Sequence, residues 1–438
     1  MNAENALETL REVLHSAPSK DGWLALCRCF DEMPGEVLEV GLEYAQKHLE
    51  HWDDRLRAAP EGWVDDVLGG KEQPRLGLTR VLTLNEAQWL HGGFADVLTR
   101  PELRHTTGVD VCVDYGSLGT GYRHLKVNVG FIEPLQGAPW ASNLTHVGLT
   151  GCDLGWGAAA EGVLRALLGF PALASLKLRA CRLNALLSVL GQSAGLAGLK
   201  CLDVSKNEIS RDGLRHLMAS KHLGNLRALD LSANPIYGAD IAWGRAKTFP
   251  DLQALYMSWC PLGKTGVAKL ARAKVLKNLV TLDLDSCRLD SKSGAVAAVA
   301  QSKMWTKLEH LRLGDVAYSG RKELDALAAS ACFANLKSLS IHRGLYMDRD
   351  LGAFAQSEAF PVLEHLDMSD HRLTWKGVEA IVNGPAMPEL KTLIVKKNFF
   401  GEEAYSGQNL QFRRDSGSSD PVVLPDALAQ ARCTIIYE

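Results

Sequence analysis

Leucines recur along this chain at a spacing that one helix face does not explain. In the stretch LRALDLSANPI, residues 226–236, Leu226, Leu229, Leu231, Asn234 and Ile236 follow the form L-x-x-L-x-L-x-x-N-x-L. Leu229 and Leu231 alternate with Ala228, Asp230 and Ser232, which is the period of a short strand with one face turned to a core. The chain then turns at Asn234, whose amide suits the backbone groups of a bend. Units of this form open at Leu144, Leu173, Leu199, Leu226, Leu252, Leu279, Leu308, Leu336, Leu363 and Leu390, at intervals of 26 to 29 residues. The back half of each unit changes to helical spacing, as with Leu214 and Leu217 in SRDGLRHLMAS or Val267 and Leu270 in TGVAKLARAKVL.

The flanks carry a different pattern. Residues 1–74 read as a helical region or cap: Leu7, Leu10, Val13 and Leu14 share one helix face, Trp23, Leu26 and Phe30 mark a second, and a third runs from Glu36 to Trp52. Residues 75–143 read as degenerate first repeats, with Val109–Val113 and Leu125–Val129 alternating as strands of the same sheet. Residues 401–438 read as a polar loop centred on 414–420, followed by a capping strand over Cys433–Tyr437.

The units LKCLDVSKNEI and LVTLDLDSCRL resemble leucine-rich repeats, and their length and helical back halves resemble the ribonuclease-inhibitor-like class. The resemblance spans residues 144–400. It implies an α/β fold: a curved solenoid with parallel strands on the concave face and helices on the convex face, preceded by the N-terminal helical region. One unit buries too few side chains to offset the backbone entropy of ordering it, so the units must stack. Two units depart from the pattern, with Val316 and Gly344 where Asn or Cys is expected.

Composition narrows the class of function. The 438 residues are 46% hydrophobic and 23% charged, as in soluble globular chains, and the formal net charge of −3 offers no bulk attraction to nucleic acid or anionic membrane. No apolar run suits a bilayer span, and the N-terminus lacks the basic, then apolar, form of a secretory signal, so a cytoplasmic protein is expected. The ten cysteines are scattered; Cys152, Cys181, Cys260 and Cys287 occupy the turn position of Asn207 and Asn234, where a small buried side chain is wanted. Cys27 and Cys29 have no matching second pair for zinc. The glycines of GSLGTG, 116–121, lack the Lys-Ser/Thr ending of a phosphate loop and read as a turn. His310, His342, His365 and Asp367 fall on outward strand positions of nearby units, without the pocket and supporting groups that catalysis requires. No metal, cofactor or catalytic residue is expected.

The solenoid does present a broad concave surface. Its outward positions include Lys177 and Arg179 early, Asp203 and Asp230 in the first full units, Tyr256, Ser258 and Trp259 at mid-array, then Asp283, Asp285, Arg312, His342, Asp367 and Lys396. Asp203, Asp230 and Asp283 belong to the L-D-L-S idiom of such repeats. Tyr256 and Trp259 do not, and they set large aromatics beside an acidic band suited to a basic partner segment. The expected function is a non-enzymatic protein–protein interaction module: a scaffold, adaptor or inhibitor whose partner is another protein. The alternative is a regulator of a GTPase or other enzyme, because repeats of this length also occur in GTPase-activating proteins. That role requires a group presented at the rim, where Arg182, Arg288 and Arg372 follow the turn position.

Overall fold

Each repeat contributes a strand of three to five residues whose leucines point inward, followed by a turn and a helical return. The computed structural model describes residues 3–113, 125–238, 243, 248–289, 294–316, 320–400, 424–425, 428 and 431–437. These form two compact units, 1–207 and 208–438. The glycine-rich stretch 116–121 and the loop centred on 414–420 lie outside the described residues.

The first unit opens with helices α1 (Ala3–His15), α2 (Lys20–Asp31), α3 (Gly35–His48) and α4 (Glu61–Leu68). Their spacing buries Leu10, Trp23, Leu26, Phe30 and Trp63. Ser19 caps α2 by accepting the Gly22 N–H at 3.0 Å. This helical region also covers the start of the sheet. Ala58 bridges Val81 in parallel fashion, and the buried Arg57 donates through Nε to the Leu78 carbonyl at 2.8 Å and through Nη1 to that of Leu49 at 3.2 Å. An edge left open would expose unpaired backbone groups.

The ladder of this unit runs in parallel through β1 (Val81–Leu84), β2 (Gly108–Cys112), β4 (His146–Thr150), β6 (Ser175–Arg179) and β7 (Cys201–Asp203). The alternation at Leu125–Val129 does not join it. Only Leu125–Lys126 is strand, β3, and it pairs with β5 (Cys152–Asp153) in a separate two-stranded sheet. Asn128 then precedes a helix over Val129–Gly137. Five alternating residues are too few to distinguish a ladder strand from a short return strand after a turn, and β1, with a less regular pattern, takes the first ladder place.

The second unit continues the same construction through β8 (Ala228–Asp230), β9 (Ala254–Tyr256), β10 (Thr281–Asp283), β11 (His310–Arg312), β12 (Ser338–Ser340), β13 (His365–Asp367), β14 (Thr392–Ile394) and β15 (Thr434–Ile436). All pair in parallel register, with Leu229, Leu255, Leu282, Leu311, Leu339, Leu366 and Leu393 aligned and buried. The return helices, such as Gly263–Leu270, Ala295–Ala300 and Arg321–Ala328, pack against one another. The strand β15 pairs in parallel with β14, with Leu393 opposite Ile435. This is the α/β leucine-rich-repeat solenoid expected from the sequence, with a helical region before it.

One polar position locks neighbouring repeats together. Asn207 accepts the Cys181 N–H at 2.7 Å and donates to the Leu178 carbonyl at 2.6 Å, both in the preceding repeat. Asn398 likewise donates to Met368 at 2.9 Å and accepts from Leu373 at 3.1 Å. Where cysteine replaces asparagine, the thiol serves as the donor: Cys181 to Leu149 at 3.3 Å, Cys260 to Leu231 at 3.2 Å and Cys287 to Met257 at 3.0 Å. In each case the acceptor is the carbonyl of the second inward apolar residue of the L-x-L pair one repeat back. Burial pushes the Cys260 thiol up to about 12, so it stays a protonated donor rather than a nucleophile.

The unit with Gly344 compensates through its successor. His371 takes the turn position there, and its Nδ1 accepts the Gly344 N–H at 2.9 Å, as an asparagine oxygen would. Its ring fills the space beside Tyr346, with centroids 4.8 Å apart.

Candidate functional site

The ladder register arranges the outward side chains of the second unit in rows. Asp230, Tyr256, Asp283, Arg312, Ser340 and Asp367 face one another across successive strands. Neighbouring strands lie about 4.8 Å apart, so these groups are within mutual reach. Lys177, Arg179 and Asp203 share the face of the first unit instead.

Many of the expected binding groups have structural work. Asp203 Oδ1 accepts the Ser205 N–H, Asp230 that of Ser232, Asp283 that of Asp285 and Asp367 that of Ser369, at 2.8, 2.8, 2.9 and 3.0 Å. The L-D-L-S idiom is thus a cap: its carboxylate satisfies the N–H two residues on, just beyond the strand. Arg312 cannot accept a hydrogen bond, and Asp285 of the preceding repeat takes the Gly314 N–H instead, at 2.6 Å.

Asp285 consequently departs from the expectation that it meets a partner. It is 5% exposed, and its second oxygen accepts from Arg312 Nε at 2.7 Å. Arg312 also lies 3.5 Å from Asp283, so the three form an internal ion cluster. Burial pushes the Asp283 carboxyl up to about 6, with Asp285 and Asp230 adding to the shift and Arg312 opposing it. Further along, His342 Nδ1 meets Ser340 Oγ at 2.9 Å, and Ser340 donates to Asp367 at 3.2 Å. The His342 ring lies over Gly314, where a Cβ would collide with it. Lys396 is exposed and Ser258 half-buried.

Tyr256 and Trp259 stand apart from this pattern. Tyr256 is half-buried between Asp230 and Asp283 in register. Trp259 is 64% exposed, so the turn does not bury it. Its backbone N–H is held by the Asp285 carbonyl at 2.8 Å, and its φ is 60°. Every regular unit puts the residue before its turn position in this left-handed region, including Ala180, Lys206, Ala233, Ser286, Asp315, Arg343, Asp370 and Lys397. Glycine adopts this conformation without strain, whereas a bulky side chain costs about 1–2 kcal/mol. Trp259 therefore bears the strain of its site with little burial in return.

The sequence reading passed over one further network, on the face of the first unit. His146 Nδ1 lies 3.0 Å from Ser175 Oγ, and its Nε2 lies 3.1 Å from Asp110 Oδ1. Gly148 makes room for this: a Cβ there would run into the Asp110 carboxylate. Lys177 Nζ stands 4.0 Å from the same oxygen, while Arg179 donates to Ser205 Oγ at 3.0 Å. Burial opposes the Asp110 charge, yet His146 and Lys177 together hold its carboxyl below the usual carboxylate range. Serine, histidine and aspartate in sequence evoke an acyl-transfer relay, which also needs donors aimed at an oxyanion. Here the His146 N–H is engaged by the Thr107 carbonyl and the Ser175 N–H by the Thr145 carbonyl. The glycines at 108 and 148, opposite outward polar residues, were the available sequence signal.

Among the described residues no group of three or more His, Cys, Asp or Glu side chains is placed to hold a metal ion. None of the described helices is long and apolar enough to cross a membrane. Of the rim arginines, Arg182 pairs with Asp153 at 3.2 Å.

The ladder and its turn geometry define a leucine-rich-repeat protein, and sequence comparison agrees: the leucine-rich-repeat family model matches residues 199–218, 250–271 and 361–382. No curated protein matches the chain. Solved structures with similar architecture include an internalin from Listeria monocytogenes, 15% identical over 78% of this chain and 89% of that one, with a TM-score of 0.40. A chain of the yeast Rad7–Elc1 complex is 12% identical, over 92% of this chain and 93% of that one, with a TM-score of 0.41. Human 5T4, trophoblast glycoprotein, is 19% identical, over 46% and 70% respectively, with a TM-score of 0.34.

Proposed function

We propose that this chain is a non-enzymatic protein-interaction module, serving as scaffold, adaptor or inhibitor, and that it grips a partner protein on the strand face of its second unit with Tyr256 and Trp259 central to the contact. The observation that carries this reading is Trp259, a large aromatic side chain 64% exposed on a backbone conformation that favours glycine. Exposed aromatics with a polar surround are the residues that dominate binding energy at protein interfaces. The row Asp230, Tyr256, Asp283 supplies that surround, and the remaining charged groups of the face act as its polar rim. Ten unpaired thiols support a reducing compartment such as the cytoplasm. No observation favours the GTPase-regulator alternative; its test is the rate of nucleotide hydrolysis by candidate GTPases with the protein added.

The test is capture of binding partners by the whole chain, identified by mass spectrometry, against a Tyr256→Ala/Trp259→Ala double variant. Loss of at least about 2 kcal/mol, roughly 30-fold in affinity, is expected for the principal partner. Undiminished capture, with Lys396→Ala as the rim control, would place the contact elsewhere.

A further inference from the structure

We infer that a late first-row divalent cation, zinc above all, binds between His15 and His48 and clamps the first and third helices of the N-terminal region together.

His15 is the last residue of α1 and His48 the last of α3, and the two helices pack against each other. Their imidazole rings lie with centroids 5.8 Å apart. The tautomer of each ring is set within its own helix. His15 Nδ1 lies 2.7 Å from the Arg11 carbonyl, and His48 Nδ1 lies 2.9 Å from that of Tyr44. A carbonyl oxygen only accepts, so Nδ1 carries the proton in both rings and Nε2 of the neutral imidazole keeps its lone pair. Among the described residues that lone pair takes no hydrogen bond at either ring. An imidazole whose other nitrogen donates to a backbone carbonyl is the usual form of a metal-bound histidine. His15 is exposed and His48 half-buried, with the Tyr44 ring against it at a centroid distance of 4.1 Å. An ion therefore reaches the pair from solvent while one of its ligands is already held in place.

Distance and field both suit a cation. Zinc binds imidazole nitrogen at about 2.0–2.1 Å, and two rings on one tetrahedral ion then have centroids roughly 5–6 Å apart. Each helix also ends at its histidine, and a helix C-terminus carries a partial negative charge of about half an electron. The choice of metal follows from the ligand atoms: imidazole suits zinc, copper and nickel, whereas calcium and magnesium take oxygen. Two imidazoles are fewer than the three protein ligands of a catalytic zinc centre, so water completes the coordination and the ion's role is structural. It ties together two helices of the region that covers the start of the sheet.

The experiment titrates zinc chloride into the full chain at pH 7.5 and follows the ring nitrogens of His15 and His48 by nitrogen–proton correlation NMR. The signals are assigned from their absence in His15→Gln and His48→Gln, which lie at helix ends and should keep the parent's circular dichroism. Both Nε2 signals should shift together and saturate with one ion. Either single variant should weaken zinc binding at the remaining histidine about tenfold or more, and the double variant should lose little beyond that, because two ligands of one ion are not additive. Hydrogen exchange of the α1 amides should slow with zinc in the parent and in neither variant. Calcium chloride should move neither ring. Two signals that titrate independently, or a variant that leaves the other histidine's zinc affinity unchanged, would overturn the shared site. Joint binding with unaltered α1 exchange would overturn the clamp.

Discussion

Around His146 the first unit's face ties its polar groups to one another, whereas around Trp259 the second unit's face carries a large aromatic side chain into solvent. Asp110 is met by His146 and Lys177, Ser175 by His146, and Arg179 by Ser205. The polar groups of that face order one another. On the second unit the same backbone construction carries Asp230, Tyr256 and Asp283 in one row and lifts Trp259 into solvent. The difference teaches that exposure on a repeat face is not itself a sign of function. An exposed aromatic on a left-handed backbone differs in kind from a row of polar groups that order one another.

That comparison presumes a ladder indifferent to what its face displays. Leu282 lies inward beneath the acidic row and is 0% exposed. Leu282→Asp puts an unpaired carboxylate in the core and is expected to cost about 4 kcal/mol or more, enough to unfold the surrounding repeats. Thermal denaturation followed by circular dichroism checks this; an unchanged melting curve would invalidate the inward assignment.

A smaller effect isolates the turn ladder from the face. Burial lowers the His371 ring to about 3, against an ordinary value near 6.5, and the Ile341 carbonyl offsets this only in part. Between those values the unfolded chain binds a proton that the folded one refuses, so stability falls as pH falls through the window. From pH 7.5 to 5.0 the loss should reach about 2 kcal/mol, and His371→Asn, which keeps an acceptor for Gly344, should remove it. Urea denaturation at pH 7.5 and 5.0 gives the two differences. If the variant retains the parent's acid sensitivity, the ring is not held neutral.

The smallest change bears on the face itself. The Asp283 carboxyl is raised from 3.8 to about 6, so stability is lost as pH rises between those values and the full cost of the ionised form is present above them. Asp283→Asn keeps an oxygen for the Asp285 N–H and should stabilise the chain by about 1 kcal/mol at pH 7.5, discounted for partial exposure. The advantage should vanish near pH 4, where the parent carboxyl is protonated in the fold. If the asparagine variant is instead less stable at pH 7.5, the ion pair with Arg312 outweighs the burial of the carboxylate.

Much of the architecture was legible because the repeat states it many times. Leu229, Leu255 and Leu282 each vote for the same inward face, and a mistake in one unit is corrected by the others. Leu125–Val129 had no such support, and its alternation misled. The candidate site was legible only in part. Tyr256 and Trp259 stood out against the idiom, but Asp285 looked outward and is buried, because its role depends on Arg312 being the wrong residue to cap Gly314. The pairing of Asp110 with His146 was hidden because its partners are 36 residues apart and meet only through the register.

By itself the sequence determined the ladder: the period of its leucines, the turn position of its asparagines and cysteines, and the two aromatics foreign to the pattern. These are local properties, set by which side chains alternate inward and which residue begins a bend. The tertiary structure alone decided which polar groups are used up in holding the fold. A carboxylate's availability depends on what the next strand brings to within 3 Å of it, and for Asp285 that was Arg312 and the Gly314 N–H.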